Sequence, residues 1–385
     1  MRFLILVTAI LAVGYSYVGL RFIQPLPLQT VWKALLWLVL LTCLILPGLS
    51  FYLHWKFPQA RWTDAFFWVS YSSFGLLCVL AAFVFIRDMG WLAWRGFAFL
   101  QPQHEVDAGR RLFLLNGSNA LVAGAGALYS FYGFLQARRT ARVRNIELKI
   151  PDLAPDLDGL RIVQITDLHV GSTIKSDYIR PIVERVNALE PDLVAVTGDL
   201  VDGSVPRLLE DVRPLSFIQS KFGTFFVTGN HEYYSGARAW MKALRGLGMH
   251  VLANEHRVIQ KGAARLLLAG VNDYDAGKVI PEHASDPVAA LSGAPPVDYR
   301  ILLAHQPRSI VAAAQAGFDL QLSGHTHGGQ FFPGNLLVYL FQPYVEGLHR
   351  HDNTWIYVNP GTGYWGPPLR LGTTSEITLL TLKRA

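Results

Sequence analysis

The first 55 residues of this 385-residue chain are nearly free of charge, and this limits what the chain can fold into more than any other feature. Residues 1–55 contain only the charged side chains of Arg2, Arg21 and Lys33. A helix needs roughly 20 apolar residues to cross the hydrocarbon core of a bilayer. Four stretches meet that need, at about residues 3–20, 31–55, 62–86 and 112–135. We therefore expect residues 1–137 to form an all-α transmembrane bundle of about four helices.

The flanks of these stretches agree with a multi-pass membrane protein. A signal peptide is the alternative for the first stretch, but no A-x-A-like cleavage site follows it, and three more apolar stretches do. The stretch 88–103 is aromatic but interrupted by charges, so we expect it to lie along the membrane interface. Aromatic residues cluster toward the ends of the spans, as they do at the two surfaces of a bilayer.

A basic cluster follows the fourth stretch. Residues 138–145 contain four arginines and are interpreted as a juxtamembrane linker. We favour a topology signal as the role of this basic cluster, with binding of anionic lipid as the alternative. Basic residues divide almost evenly over the two sides of a four-span topology, and this cluster favours a cytoplasmic C-terminal domain. We expect a bacterial inner-membrane protein. The net charge of +6 is not gathered into a basic and aromatic stripe in the soluble half, so no nucleic-acid partner is predicted.

The pattern changes at about residue 146, where short aliphatic runs alternate with helical periodicity. Each run ends in a polar, glycine-containing turn, which is typical of an α/β domain. Ligand sites of open α/β sheets lie at the carboxyl ends of strands. The predicted strands are 160–166, 193–197, 224–228, 266–271, 300–304, 320–323 and 376–382, with a helix at 178–189.

Chemistry-bearing side chains follow five of these strands. They occur as Asp167-x-His169, Gly198-Asp199, Gly229-Asn230-His231-Glu232, His305 and Gly324-His325-x-His327. Residues i and i+2 of an extended segment face one side, so each D-x-H or H-x-H pair is expected to converge. Carboxylates, imidazoles and an amide suit Mn²⁺, Fe or Zn²⁺. The ligands are too many for one four-coordinate site, which predicts two metal ions sharing a carboxylate.

These motifs resemble the calcineurin-like metallophosphoesterase superfamily over residues 146–385. The longer runs Gly324–Gln330 and Asn359–Arg370 are similar to its YkuE/YaeI-like branch. The resemblance implies a four-layer α/β/β/α sandwich of two mixed sheets flanked by helices. It also implies a calcineurin-like phosphoesterase domain with two divalent metal ions, Mn²⁺ first among them, with Fe, Zn²⁺ and Mg²⁺ as alternatives.

Carried over position by position, the resemblance assigns the ligands. One metal would be held by Asp167, His169, Asp199 and His327, and the second by Asp199, Asn230, His305 and His325, so that Asp199 bridges them. His231 would face the substrate phosphate, with Asp199 and His231 as the catalytic pair. Glu232 is expected to orient His231. A water activated at the metal pair would attack phosphorus, and His231 would stabilise charge or protonate the leaving group.

The apolar run at 331–344, just after the last ligand motif, bears on the substrate. Core packing is one interpretation, and an apolar lip for acyl chains or the bilayer is the other. We favour a phosphodiester or pyrophosphate of a lipid-linked substrate, with a UDP-2,3-diacylglucosamine pyrophosphatase-like reaction as one candidate. The alternatives are a phosphodiesterase for soluble nucleotides and a catalytically quiet membrane sensor or scaffold. The sequence makes no prediction of oligomeric state.

Overall fold

The structure, a computed structural model, describes residues 2–99 and 107–385. They form two compact units, which are described separately. The first unit contains the N-terminal helices together with Gly366–Leu371. The second contains Gln136–Trp365 and Gly372–Ala385.

Four helices build the first unit: α1 (Arg2–Phe22), α2 (Thr30–Lys56), α3 (Thr63–Ala98) and α4 (Ala108–Ala137). Among the described residues, three helices are long and apolar enough to cross a membrane, at Thr30–Lys56, Thr63–Phe97 and Gly109–Ala137. The predicted helical membrane segment is therefore confirmed for the second, third and fourth stretches. The first predicted span lies within α1, which is helical.

The third helix is longer than the predicted span. It continues past residue 86 to Ala98, so the stretch from Asp88 to Ala98 is part of α3, and its expected position along the membrane interface stays a prediction. The charge of Asp88 does not end the helix because its carboxylate is satisfied within the unit. It accepts a hydrogen bond from the Tyr17 hydroxyl at 2.7 Å and forms an ion pair with Arg21, whose Nε lies 2.8 Å away. Residues 100–103 of the predicted segment lie outside the described residues.

A short piece from near the C-terminus completes the first unit. Within Gly366–Leu371, the Arg370 N–H donates to the Gly133 carbonyl at 3.0 Å. The Tyr129 hydroxyl donates to the Leu371 carbonyl at 3.3 Å. Gly366–Leu371 therefore belongs to the same compact unit as the N-terminal helices. The sequence predicts a single domain for all of residues 146–385.

The second unit contains two six-stranded sheets. In the first, the strand order is β1-β12-β2-β3-β4-β5, and in the second it is β10-β11-β9-β8-β7-β6. Both sheets are mixed. In the first sheet, β2, β3, β4 and β5 run parallel, and β12 pairs antiparallel with β2. In the second sheet, β7, β8, β9 and β11 run parallel, and the edge strands β6 and β10 are antiparallel to their neighbours. The strands are β1 (Arg142–Ile150), β2 (Arg161–Ile165), β3 (Leu193–Val196), β4 (Thr224–Phe226), β5 (His250–Val251), β6 (Glu255–Lys261), β7 (Ala264–Gly270), β8 (Tyr299–Leu303), β9 (Leu320–Ser323), β10 (Gly347–His351), β11 (Thr354–Val358) and β12 (Glu376–Arg384).

The two sheets pack face to face with helices outside. Successive residues of β2 point to opposite faces: Ile162 belongs to the core between the sheets, and Val163 to the core under the helices. The central core also contains Leu266 and Ile301 of the second sheet, whose outer face carries a separate cluster with Leu267 and Leu302. This confirms the predicted α/β/β/α sandwich. The helices are α5 (Ser176–Ala188), α6 (Val205–Val212), α7 (Asn230–Ser235), α8 (Ala237–Gly246), α9 (Ile310–Ala316) and α10 (Gly334–Leu337).

Part of the predicted basic linker is a strand. Residues 142–145 begin β1, which pairs in parallel with the last strand, β12. Arginines are tolerated there because this edge strand is mostly exposed, and Arg144 lies 3.5 Å from the carboxylate of Glu376. Charges on an edge strand also discourage pairing with other chains.

Candidate metal centre

The predicted ligands meet where five strands end. Asp167, Asp199 and Asn230 follow β2, β3 and β4 of one sheet, while His305 and His325 follow β8 and β9 of the other. Three overlapping groups bring their ligand atoms within 4.8 Å of one another; they are Asp167–His169–His327, His169–Asp199–His231 and Asp199–His305–His325. One centre therefore spans the ends of both sheets, and Asp199 belongs to two of the groups.

The atoms converge on two points. Around the first, His327 Nε2 lies 3.3 Å from Asp167 Oδ1 and 3.1 Å from His169 Nε2. Around the second, His305 Nε2 lies 3.1 Å from Asp199 Oδ2 and 3.2 Å from His325 Nδ1. Asp199 Oδ2 also lies 3.9 Å from His169 Nε2, which places this carboxylate between the two points.

The convergence depends on backbone that the sequence pattern did not predict. Asp167 and His169 were expected to share a side of an extended segment, but their φ angles are 53° and 50°, in the left-handed region. Asp199 (φ 50°), His325 (φ 73°) and His327 (φ 52°) adopt it as well. Non-glycine residues rarely do so, and such strain collects at functional sites. The two residues of each pair do converge, as predicted. They converge because the backbone turns through left-handed conformations, and not because the segment is extended.

Two glycines allow the carboxylates to approach the backbone. A methyl group at Gly324 would overlap Asp167 Oδ2 and Thr166 Oγ1, and one at Gly229 would overlap Asp199 Oδ1. Only glycine leaves room at these two positions. The glycine in each of these two motifs is therefore a packing requirement of the site.

Hydrogen bonds fix the ring orientation of the candidate ligands His305 and His169. His305 Nδ1 lies 2.8 Å from the Thr197 carbonyl, which can only accept, so Nδ1 carries the proton and Nε2 faces the site with its lone pair. His169 Nδ1 lies 3.1 Å from Asp202 Oδ1, which likewise turns Nε2 inward. Partners of this kind are what fix the ring orientation of metal-binding histidines.

Asp202 is a functional residue that the motif analysis missed. Its Oδ1 accepts from His169 Nδ1 and also lies 2.6 Å from His231 Nδ1. The two histidines hold the pKa of the Asp202 carboxyl below its usual range against the opposing effect of burial. One carboxylate therefore orients a candidate ligand and the candidate acid. Its signal in the sequence is its place three residues after Asp199.

Glu232 does not orient His231, contrary to expectation. Its carboxylate is fully buried and accepts from four backbone N–H groups, those of Asp199 at 3.0 Å, Leu200 at 2.7 Å, Val201 at 3.3 Å and Gly229 at 2.6 Å. Burial and the charge of Asp199 raise the pKa of Glu232 to about 8. The side chain ties the turn after β3 to the turn after β4.

The charges of the centre are strongly coupled. Although burial works in the opposite sense, His305 holds the pKa of Asp199 well below its usual value, and Asp199 raises the pKa of His305. Burial and the neighbouring His305 lower the pKa of His325 to about 3. Burial lowers the pKa of His231, but Asp199 and Asp202 outweigh it and raise the value to about 9. In the metal-free protein these carboxylates keep His231 protonated at neutral pH.

The residues fit divalent cations. Imidazole nitrogens directed at one another and at carboxylates repel unless a proton or a cation lies between them. In addition, the side-chain oxygen of Asn230 is buried without a hydrogen-bond partner, as an oxygen reserved for a cation would be. Mixed nitrogen and oxygen donors suit borderline metals.

Comparisons with known proteins agree with this geometry. Residues 160–329 match the family model described as calcineurin-like phosphoesterase. A "Transmembrane protein with metallophosphoesterase domain" from Danio rerio is 32% identical over 404 residues, covering 100% of this chain and 90% of that protein. Its namesake from Bos taurus is 39% identical, covering 80% and 70%.

A bacterial relative and a solved structure extend the comparison. The metallophosphoesterase YkuE of Bacillus subtilis, described as uncharacterized, is 30% identical, covering 71% of this chain and 97% of that protein. A 5′-nucleotidase precursor from Thermus thermophilus superposes with a TM-score of 0.38 and 17% identity, covering 58% and 54%, which is too distant to inform the site.

Proposed function

The chain belongs to the calcineurin-like metallophosphoesterase family and carries membrane-spanning helices, and from this premise we propose that it hydrolyses a phosphodiester or pyrophosphate bond of a lipid-linked substrate. In this proposal residues 1–137 anchor the enzyme and residues 146–385 catalyse. The reaction class follows from the family. The proposal that the substrate is lipid-linked needs a separate argument.

The observation that carries the lipid proposal is an exposed apolar segment after the last ligand motif. Leu336, Leu340 and Phe341 expose 62%, 74% and 65% of their surface, and Leu337 and Tyr339 are exposed as well. Residues 331 and 332, by contrast, are only half-buried. Core packing therefore does not account for residues 336–341, which we call the apolar segment. Contiguous exposed apolar surface of this kind marks an interaction site.

The apolar segment is linked to residues that lie near two ligand motifs in the sequence. It begins six residues after Gln330, and the Asn335 N–H donates to the Phe331 carbonyl at 3.2 Å. At its far end, Arg308 Nη2 donates to the Phe341 carbonyl at 2.7 Å. Arg308 is three residues past a candidate ligand, position 305, so each end of the segment is linked to a residue close in sequence to a ligand motif. An acyl chain of a substrate held there would find apolar contacts on the segment.

The ligand roles follow the family assignment. Asp167, His169, Asp199 and His327 would hold one cation, and Asp199, Asn230, His305 and His325 the other, with Mn²⁺ as our first choice. When bound, such a pair activates a water for attack on phosphorus and neutralises charge on the phosphate oxygens.

The chain's own groups then act on the leaving group. His231 Nε2 lies 4.0 Å from Asp199 Oδ2, so the protonated ring faces the centre. Its proton is available to the oxygen that departs from phosphorus, which avoids releasing an alkoxide. Asp202 holds the ring through Nδ1 and stabilises its charge. No covalent intermediate with the protein is required.

A UDP-2,3-diacylglucosamine-like pyrophosphate is one substrate that suits both features, since it has acyl chains and a diphosphate. That substrate would require the catalytic domain to face the cytoplasm of a bacterium, an orientation favoured by the basic cluster Arg138–Arg144. A phosphodiesterase for soluble nucleotides is the competing assignment. The two differ in their dependence on the apolar segment.

The test compares acylated and soluble substrates. We would assay full-length, Mn²⁺-supplied protein in mixed micelles against a lipid pyrophosphate with long acyl chains and against its dibutyryl analogue. The double substitution Leu336→Glu and Leu340→Glu should lower kcat/KM at least tenfold on the long-chain substrate, because about 0.8 kcal/mol is lost per unburied methylene. Hydrolysis of the dibutyryl analogue should stay within twofold.

The matched control is Val288→Glu, at an apolar side chain that is 68% exposed. It should leave both substrates unaffected. Equal loss on both substrates, or no loss on either, would count against the lipid assignment and favour a soluble phosphodiester.

A further inference from the structure

We propose that Tyr234 and Trp365 form a stacking site for a planar heteroaromatic ring, such as a nucleobase, in the leaving-group half of the substrate. The inference rests on the proposed phosphoesterase function and narrows its substrate class. It requires a substrate in which the scissile phosphate joins the rest of the molecule to a ring-bearing head group.

The two aromatic side chains flank the candidate acid. The ring centroid of His231 lies 5.4 Å from that of Tyr234 and 5.5 Å from that of Trp365. The interplanar angles are 70° and 72°, so neither ring stacks flat on the imidazole. Each contact is edge-to-face, so His231 covers at most one of the two faces of either aromatic ring.

Both aromatic side chains are largely exposed to solvent, unlike the aromatic residues next to them in the sequence. Tyr234 exposes 72% of its surface and Trp365 exposes 50%. By contrast, Tyr233 beside Tyr234 and Tyr364 beside Trp365 are buried, at 8% and 1%. In each pair of neighbouring aromatic residues, the tyrosine that comes first in the sequence is buried and the second residue is exposed. Two large exposed aromatic residues beside a catalytic group are typical of ligand recognition.

The site is held in place by its backbone. Gln330 forms two hydrogen bonds with Trp365, accepting from its N–H at 2.9 Å and donating to its carbonyl at 2.9 Å. Gln330 is itself nearly buried and adopts a left-handed φ of 59°. Tyr234 lies one helical turn after His231 on α7, so its Cα position is fixed by the same helix. A pre-positioned pair of rings loses little entropy on binding.

The role of His231 determines which part of the substrate reaches the rings. A general acid must lie within hydrogen-bond reach of the departing oxygen. The group attached to that oxygen therefore passes the imidazole edge and meets Tyr234 and Trp365. A flat π-system gains stacking energy on an exposed aromatic face, whereas a saturated alkyl group gains only ordinary apolar contact.

Binding measurements test the proposal without relying on turnover. Isothermal titration calorimetry on full-length, Mn²⁺-loaded protein in detergent would compare UMP, ribose 5-phosphate and orthophosphate. UMP and ribose 5-phosphate differ by the base, so their affinity ratio reports the ring. We expect UMP to bind about tenfold more tightly, the scale of one base stacked on an aromatic side chain.

The variants locate the effect. Trp365→Ala and Tyr234→Ala should each reduce the preference for UMP toward unity and leave orthophosphate binding within twofold, whereas Trp365→Phe and Tyr234→Phe should retain most of it. Equal wild-type affinities for UMP and ribose 5-phosphate would overturn the proposal. So would a parallel loss of all three ligands in the alanine variants, because that result indicates a role in supporting His231. A ring preference without lipid hydrolysis would refute only the lipid-linked substrate.

Discussion

Asp202 Oδ1 lies 2.6 Å from Nδ1 of His231 and 3.1 Å from Nδ1 of His169, so a single oxygen serves one candidate acid and one candidate ligand. This arrangement links the protonation of His231 to the position of the metal-facing ring of His169. Asp202 lies outside the recognised motifs, and its side chain is 27% exposed although it contacts two histidines.

The first prediction concerns the pH profile of Asp202→Asn. The carboxylate of Asp202 is one cause of the raised His231 pKa of about 9. Replacing it by a neutral amide removes charge that stabilises the imidazolium, so the pKa of His231 should fall. Because the proposed mechanism uses the acid form of His231, the basic limb of the kcat/KM profile should move to lower pH by about 1 to 2 units.

Steady-state kinetics with a phosphodiester between pH 6 and pH 10 would measure this shift. Glu210→Gln, at an exposed acid paired with Arg213, is the control and should leave the limb in place. An unchanged basic limb in Asp202→Asn would remove His231 as the titrating group.

The second prediction concerns Glu232, whose carboxylate holds two turns together. Glu232→Ala would leave buried backbone N–H groups of Asp199, Leu200 and Gly229 without acceptors. Each unsatisfied buried donor costs about 1 to 3 kcal/mol. We expect the free energy of unfolding to fall by about 3 kcal/mol or more, measured by denaturant titration in detergent. Stability within about 0.5 kcal/mol of wild type, the size of ordinary surface changes, would contradict this role.

The third prediction concerns the glycine at position 324. Gly324→Ala places a methyl group against Asp167 Oδ2 and Thr166 Oγ1. Relief of the overlap would displace the Asp167 carboxylate, so the Mn²⁺ affinity should fall at least tenfold. Gly246→Ala is a fitting control, because a methyl group there meets no atom within 4 Å. Unaltered Mn²⁺ binding in Gly324→Ala would show that the close approach does not matter.

The fourth prediction concerns the pH dependence of metal binding. Asp199 raises the pKa of His305 despite burial, so a proton and a cation compete for Nε2 of His305. A cation binds the neutral ring, hence affinity should rise with pH by about tenfold per unit for each proton displaced. Calorimetric titration of Mn²⁺ at pH 6 and pH 8, in buffers of different ionisation enthalpy, reports the protons released. Absence of proton release would contradict the assignment of His305.

The sequence predicts the location of the site better than its geometry. Asp167 and Asp199 could be placed together because each follows a predicted strand and the carboxyl ends of neighbouring parallel strands meet at one sheet edge. His305 follows a strand of the other sheet, and only the family resemblance placed it beside them. The left-handed backbone of Asp167 and His169 was not predictable, because a D-x-H spacing is equally compatible with an extended segment.

Long-range partnerships were also beyond the sequence. Asp202 and Glu232 are both single acidic residues near motifs, and spacing alone does not show that one faces two imidazoles and the other four backbone donors. The N-terminal helices have the same limit. Hydropathy located them, but the continuation of α3 past Asp88 depends on Tyr17 and Arg21, which are distant in sequence.

The central claim is a pair of divalent cations bridged by Asp199 and acting with His231. It is tested most directly by measuring metal content and phosphodiester turnover on the same preparations of wild type, Asp199→Asn and His231→Ala. The account predicts two ions per wild-type chain. It predicts loss of metal and of turnover in Asp199→Asn, and retained metal with turnover reduced about 10²- to 10⁴-fold in His231→Ala. Undiminished turnover in the Asp199→Asn protein would contradict it.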